Sequence, residues 1–381
     1  MNDPSVAAAV VTTPPILRLR RGLVVEHAPG ALRVTSMATR EVIEYAVDDH
    51  VVDLLACLDG TLDRGGVHRR LQEAGHLVSL GVVDAVLAVL RGDGLLATGP
   101  DAAGADPRRT AQLRFLDELA SLHPAPGRDA ASLQASLVAS RVVVLGVGGA
   151  GSTVVAALAR AGVGEIVVVD ADVVEVSNLD RQPLFDTDDV GSHKVVAAAA
   201  RVATVDPAVR VVPVPLHVRG PADLEPLLDG VDLVVSCADQ PSVAAASGWV
   251  ADAAWPRGLP HIVGGAYGSA LGVPGFTVVP GSTACWWCAR SAATGLDDDD
   301  DPSWQAALVT PRGGTISAVT GLVGNMTAWE ALRVLLGLPL GFSDRLLELD
   351  LMTMQWHETG VSRRRSCPCA GGASAPVPPP A

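Results

Sequence analysis

Three polar residues crowd into a loop that needs none of them to turn. Asn178, Arg181 and Gln182 lie in DADVVEVSNLDRQPLF (170–185), directly after the β-rich run EIVVVD. A second cation, Lys194, follows in GSHKVVAAAARV, near the start of a helix-like segment. Two fixed cations and an amide on one side of a pocket suit a polyphosphate under attack, because they offset the charge that grows on its oxygens. A surface ion pair with one of its acidic neighbours is the plainer use of Arg181. The stretch Gly-Val-Gly-Gly-Ala-Gly (146–151) argues for chemistry. Gly146, Gly148, Gly149 and Gly151 stand between the strand-like VVVL and the helix-like STVVAALARAG. Such a turn lets backbone N–H groups at a helix N-terminus approach a phosphate. Asp170 ends the next strand, at the distance that suits a ribose hydroxyl. Turn and carboxylate alone would also serve a nicotinamide or flavin dinucleotide. The cations beyond the second strand favour three phosphates over two, and so ATP.

Asp239 closes the strand-like VVSCAD (234–239) and is followed by Gln240-Pro241. A carboxylate at the C-terminal end of a parallel strand faces the ligand crevice, and one carboxylate plus phosphate oxygens makes an ordinary Mg²⁺ site. A helix N-cap is the competing role. Cys285-Trp-Trp-Cys288 and Cys367-Pro-Cys369 form two close thiol pairs, which suit a tetrahedral Cys₄ zinc site once the fold unites them. The first pair alone would also fit a redox motif. Cys57 and Cys237 sit in apolar stretches and read as small buried hydrophobes.

These residues require an α/β scaffold. RVVVLGV, EIVVVDA, VRVVPVPL and VDLVVSCAD are apolar strands separated by helical runs, the pattern of a Rossmann-like, mostly parallel sheet with helices on both faces. Beyond residue 260, HIVGGA and LGVPGFTVV read as strands, followed by CWWC and the acidic loop LDDDDDPSW. A long helix over TISAVTGLVGNMTAWEALRVLLGL and closing strands in LLELDLMTMQWHE come next. Upstream, ILRLRRGLVVEH and ALRVTS flank Pro29-Gly30 as a hairpin, and REVIEYAVDDHVVDLLACL, VHRRLQEAGH and SLGVVDAVLAVLRGDGLLA have helical periodicity. The expected organisation is a flexible lead (1–14), a small winged-helix-like α+β domain (15–98), a linker and helix (99–137), the α/β domain (138–370) and a disordered tail (371–381).

The chain has 381 residues, 49% hydrophobic, enough for a large core and a second domain. A formal net charge of −14 argues against broad binding to nucleic acid or anionic membranes, so an anionic ligand must be held by local cations. The N-terminus lacks a signal-peptide pattern and no apolar run spans a bilayer, which predicts a cytoplasmic protein. Six cysteines in such a chain do not read as a disulfide framework.

Taken together, GVGGAGS, VVVDAD, SNLDRQPLF, GSHK, the Asp after SCA, and CWWC with a late cysteine pair resemble the ThiF/MoeB-type adenylyltransferases, bacterial relatives of ubiquitin-activating enzymes. The resemblance covers about residues 138–370. It implies that Mg-ATP adenylates the C-terminal carboxylate of a small protein or peptide, with release of pyrophosphate. By position it gives Asp170 to the ribose, Asn178, Arg181 and Lys194 to the phosphates, and Asp239 to Mg²⁺. A homodimer and a structural zinc are also implied. There are departures. The family's upstream Arg-x-x-Arg-Gln has Ala111 at its second arginine when aligned on Gln112, with Arg108, Arg109 or Arg114 as substitutes. The late cysteine motif is CPC rather than CxxC. Residues 289–315 hold no cysteine and no further domain is expected after 370, which speaks against an internal thioester or persulfide relay.

The N-terminal hairpin and helices resemble the winged-helix peptide-recognition element of ribosomal-peptide-modifying enzymes. The edge LRLRRGLVV is expected to pair with an extended leader peptide, with Arg18, Arg20 and Arg21 attracting an acidic one. A packing or dimerisation domain is the plainer alternative, and a DNA-binding winged helix has only VHRRL as its basic helix. For the whole chain the competing functions are a non-catalytic leader-peptide scaffold, a sulfur-carrier activating enzyme of cofactor biosynthesis, and an NAD-dependent oxidoreductase.

Overall fold

A computed structural model of the chain describes residues 16–97, 106–294 and 314–371. The lead, the tail, most of the 99–110 linker and the acidic loop therefore lie outside the described residues. The chain divides into two units, Met1–Gln134 and Ala135–Ala381.

In the first unit, β1 (Leu23–Ala28), β2 (Ala31–Ser36) and β3 (Val42–Ala46) form an antiparallel sheet in that order. Pro29 and Gly30 make the tight turn between β1 and β2; Gly30 has φ +78°, which a side chain would oppose. Three helices follow: α1 (Asp49–Ala56), α2 (Arg64–Glu73) and α3 (Leu80–Gly92). Asp63 caps α2, its carboxylate accepting from Gly66 N at 2.7 Å. Leu32, Val34, Leu54, Val67, Leu71, Val83 and Leu87 fill one core, so Leu54→Ala would cost about 2–5 kcal/mol. The unit also holds α4 (Thr110–Leu122), and α5 (Ala130–Ala139) runs across the boundary between the units.

Two expectations are corrected here. The segment read as one long helix from Arg40 begins as β3, because VIEYA is β-branched and aromatic with alternating exposure; the helix starts only after Asp48. The first half of ILRLRRGLVVEH is not part of the hairpin. Leu17 N and Leu19 N donate to Leu62 O and Leu58 O, and Arg20 N donates to Leu95 O, so this stretch is packed into the unit. Its arginines are consequently not a surface lure for an acidic peptide. Arg18 is buried in a bidentate pair with Asp117 of α4, at 2.7 and 2.8 Å, Arg21 reaches the same carboxylate at 3.4 Å, and Arg20 is buried.

The second unit is built on a six-stranded sheet of β4 (Arg141–Leu145), β5 (Glu165–Val169), β6 (Arg210–Val214), β7 (Leu233–Ser236), β8 (His261–Val263) and β11 (Phe276–Val278). Its order is β11-β8-β7-β4-β5-β6, parallel except for the antiparallel edge β11. Helices α6 (Gly149–Ala161), α7 (Lys194–Val205), α8 (Pro221–Leu224) and α9 (Val243–Ala254) link the parallel strands. The strands grow outward from β4 first one way and then the other, and right-handed crossovers then put helices on both faces. The reversal also opens a crevice at the C-terminal ends of β4 and β7, the usual ligand seat of such sheets.

LGVPGFTVV, expected as one strand, is divided at Pro274-Gly275 into β10 (Leu271–Val273) and β11. β10 belongs to a second, antiparallel sheet with β9 (Ala266–Tyr267), β12 (Arg345–Asp350) and β13 (Gln355–Gly360), in the order β13-β12-β10-β9. α10 (Trp286–Thr294) carries the first cysteine pair, and α11 (Ser317–Leu335) packs along α6. Near the end of α11, the fully buried Glu330 carboxylate accepts from Thr277 Oγ1, Gly341 N and Phe342 N at 2.9–3.1 Å. It thereby ties the helix to β11. No helix among the described residues is long and apolar enough to cross a membrane.

Candidate active site and metal centre

The glycine turn is the floor of the crevice. Gly146 has φ +87°, and a Cβ there would lie 2.8 Å from Ala238 N, so the turn after β4 and the end of β7 meet backbone to backbone. A Cβ on Gly151 would lie 2.0 Å from Gly146 O. Gly148 differs: nothing among the described residues lies within 4 Å of its added Cβ. The turn delivers the chain into α6, whose first N–H groups have no helical acceptor. Asp170, at the end of β5, is fixed from both oxygens, accepting from Val147 N at 2.7 Å and Asp172 N at 2.8 Å. Asp239 is exposed just past the end of β7.

The loop after β5 and the start of α7 carry the polar residues, and Asn178, Arg181 and Lys194 are already engaged within the chain. Asn178 is buried in the capping box of a short 3₁₀ turn, its Oδ1 accepting from Glu175 N at 3.1 Å. Arg181 is partly exposed and donates to Asp180 Oδ1 at 2.8 Å and to Ser177 O. Lys194, the first residue of α7, is buried and donates to Asp172 Oδ2 at 2.9 Å. Gln182 is buried, and its Oε1 has no hydrogen-bond partner among the described residues.

Three neighbours had no place in the sequence reading. Asp172 is the carboxylate that neutralises Lys194, and asking what pairs with a lysine inside an apolar helix would have pointed to it. Thr320 of α11 is buried, with Oγ1 3.2 Å from Arg181 O and 3.1 Å from Ser317 O, so the long helix holds the arginine's backbone. Tyr267 of β9 puts its hydroxyl 3.0 Å from the Cβ position of Gly149. Burial, and after it the negative charge of Asp239, raises its pKa, so the phenol keeps its proton. Cys237 lies under the turn, half-buried rather than fully so, and burial pushes its thiol up to about 12. Cys57 is likewise half-buried.

At the other end of the unit the four remaining cysteines converge. Cys285 Sγ lies 3.4 Å from Cys367 Sγ, Cys288 Sγ lies 3.5 Å from Cys369 Sγ, and all four sulfurs fall within 4.8 Å of one another. A Zn–S bond of about 2.3 Å in a tetrahedron gives sulfur–sulfur edges of about 3.8 Å. The donor set and its spacing therefore fit zinc, and CPC serves as well as CxxC, since Cys367, just before the short 3₁₀ turn Pro368–Gly371, and Cys369, within it, both reach the first pair. Burial raises the Cys285 thiol and holds Cys369 up at about 11. Cys288 is lowered: burial opposes this more than any one contact favours it, but the hydrogen bonds from Arg364, whose N–H lies 3.3 Å from the sulfur, and from Cys369 and Cys367 together outweigh it.

The ThiF family model matches residues 120–369. The chain is 35% identical over 242 residues to the SAMP-activating enzyme E1 of Haloferax volcanii, covering 62% of this chain and 83% of that one. It is 34% identical over 241 residues to the sulfur carrier protein adenylyltransferase of Thermus thermophilus, covering 62% and 84%. Among solved structures, E. coli MccB with AMPCPP and MccA superposes with a TM-score of 0.70 at 19% identity, over 92% of this chain and 98% of that one. Matching residues from the glycine turn to the last cysteine pair, and relatives that are themselves adenylyltransferases, lead to one conclusion: the chain belongs to the ThiF family and is an E1-like adenylyltransferase.

Proposed function

We propose that the chain uses ATP to adenylate the C-terminal carboxylate of a ribosomal peptide, releasing pyrophosphate. In the coarser sense, adenylation of a protein or peptide carboxylate is the activity of its family. The finer reading is supported above all by the first unit: the fold likeness to MccB, whose solved complexes hold the peptide MccA, extends over 92% of this chain and so includes that unit. The relatives that act on carriers align with only 62% of it.

In this reading the ATP phosphates lie over the turn Gly146, Gly148, Gly149 and Gly151, and Asp170 orients the ribose. The substrate carboxylate oxygen attacks the α-phosphorus as the bond to the β-phosphate oxygen breaks. Arg181 and Lys194 exchange Asp180 and Asp172 for phosphate oxygens, with Asn178 and Gln182 beside them. The nucleophile is already ionised, so no general base is required. Asp239, exposed at the strand end, would hold Mg²⁺, which would screen the phosphate charge. Cys285, Cys288, Cys367 and Cys369 would hold a structural zinc. A leader peptide would add to the outer side of β1, an edge strand on which Val24 and Val25 are exposed. Without available arginines there, pairing and apolar contact carry the recognition. The chain is expected to work as a homodimer in the cytoplasm.

The test is ATP–pyrophosphate exchange with candidate precursor peptides and with carriers ending in Gly-Gly. Arg181→Ala should lower exchange roughly 10²–10³-fold. Undiminished exchange in that variant would refute the site. Exchange with carriers alone would favour the second reading, sulfur-carrier activation, which the 34–35% identities support.

A further inference from the structure

The charged groups of the crevice are already engaged by the chain itself, which directs attention to a neutral one. Lys194 has Asp172, Arg181 has Asp180 and Ser177 O, and Asn178 is spent on its cap. Tyr267 stands among the atoms a nucleotide must approach. The methyl and Cβ of Thr320, at 2.6 and 2.9 Å, and the Tyr267 hydroxyl, at 3.0 Å, are the atoms nearest the Cβ position of Gly149. β9 brings it there because Tyr267 pairs with Gly272 of β10 at the inner end of the second sheet. α11, which carries Thr320, closes the other side, and its Gly324 approaches so near α6 that a Cβ would lie 2.7 Å from Ala150 O. The hydroxyl thus stands beside the first turn of α6, whose leading N–H groups have no helical acceptor. A phenol that keeps its proton has an O–H to donate there.

We infer that Tyr267 is a ligand-contacting residue of this site: its hydroxyl, beside the first turn of α6, donates a hydrogen bond to a phosphate oxygen of the bound nucleotide. This rests on the nucleotide reading above and deepens it. No proton changes hands, since the phenol keeps its proton. The O–H adds a neutral donor where cations are already partnered, and it gives the second sheet a part in nucleotide binding. A hydrogen bond to a charged oxygen corresponds to roughly a 10- to 100-fold effect on affinity.

The experiment is calorimetric binding of Mg-ATP and, separately, of adenosine to the full chain, in the wild type and in Tyr267→Phe. The substitution removes one oxygen and keeps the ring, and the melting temperature without ligand reports whether packing has survived. The inference expects a 10- to 100-fold loss for Mg-ATP, unchanged adenosine binding and an unchanged melting temperature. Equal Mg-ATP affinity in both proteins overturns it and leaves the nucleotide reading standing. An equal loss for adenosine and Mg-ATP also overturns it, because the hydroxyl would then not meet a phosphate. A wild type that binds no Mg-ATP removes the nucleotide reading itself.

Discussion

The crevice and the cysteine cluster belong to one unit and solve opposite problems. In the crevice, each cation is paired before any ligand arrives, and the partner Asp172 is exposed. Such pairs are weak, and a phosphate can replace the carboxylate with little loss. At the cluster, four thiols are packed in apolar surroundings and face one another, with the Arg364 N–H 3.3 Å from Cys288 Sγ. Nothing there is built for exchange. Replaceable partners suit a ligand that comes and goes, whereas an ion that fills a dry corner becomes part of the fold.

That contrast can be broken most forcefully at the cluster. Structural zinc in small Cys-rich sites contributes about 10–16 kcal/mol, so strong chelation or Cys288→Ser should cost much or all of the second unit's cooperative melting transition. Metal analysis should give one zinc per chain. A chelated protein that melts like the untreated one would place the cluster outside the folding core.

A smaller effect is expected at His261, fully buried in β8, where Nδ1 donates to Leu259 O and burial lowers its pKa from 6.5 to about 4. Between those values the unfolded chain binds a proton that the folded chain refuses, so stability falls as pH drops from 6.5 towards 4. The loss is about 3 kcal/mol at its limit. Denaturant curves of wild type and His261→Gln across this range should converge in acid; the difference between the two proteins cancels the acid response of the thiols. A constant difference would assign the acid sensitivity elsewhere.

The smallest effect sharpens the other half of the contrast. Asp172→Asn removes the competitor for Lys194, and Mg-ATP should bind up to about fivefold more tightly, the scale of an ion pair whose carboxylate stands in water. Weaker binding would mean that Asp172 aims the lysine rather than merely occupying it.

Much of this was legible in the residues. Valine runs in RVVVLGV and EIVVVDA announce buried parallel strands, and Gly146, Gly149 and Gly151 have neighbours that only a missing Cβ allows. Two cysteine pairs far apart in the chain met as their spacing suggested. What failed was local or solitary. VIEYA could continue a helical pattern until Asp48 interrupted it, and Arg18 looked like surface because Asp117, its partner, lies 99 positions on. Tyr267 belongs to a two-residue strand with no motif around it, so only three-dimensional proximity reveals it.

Gly148 has a practical consequence. Its neighbours in the turn are hemmed in, but here a bulky residue would project into open space above α6, at φ −79°, a value ordinary residues adopt. Gly148→Val thus offers an intact protein with its doorway plugged, a decoy able to hold partners while performing no turnover.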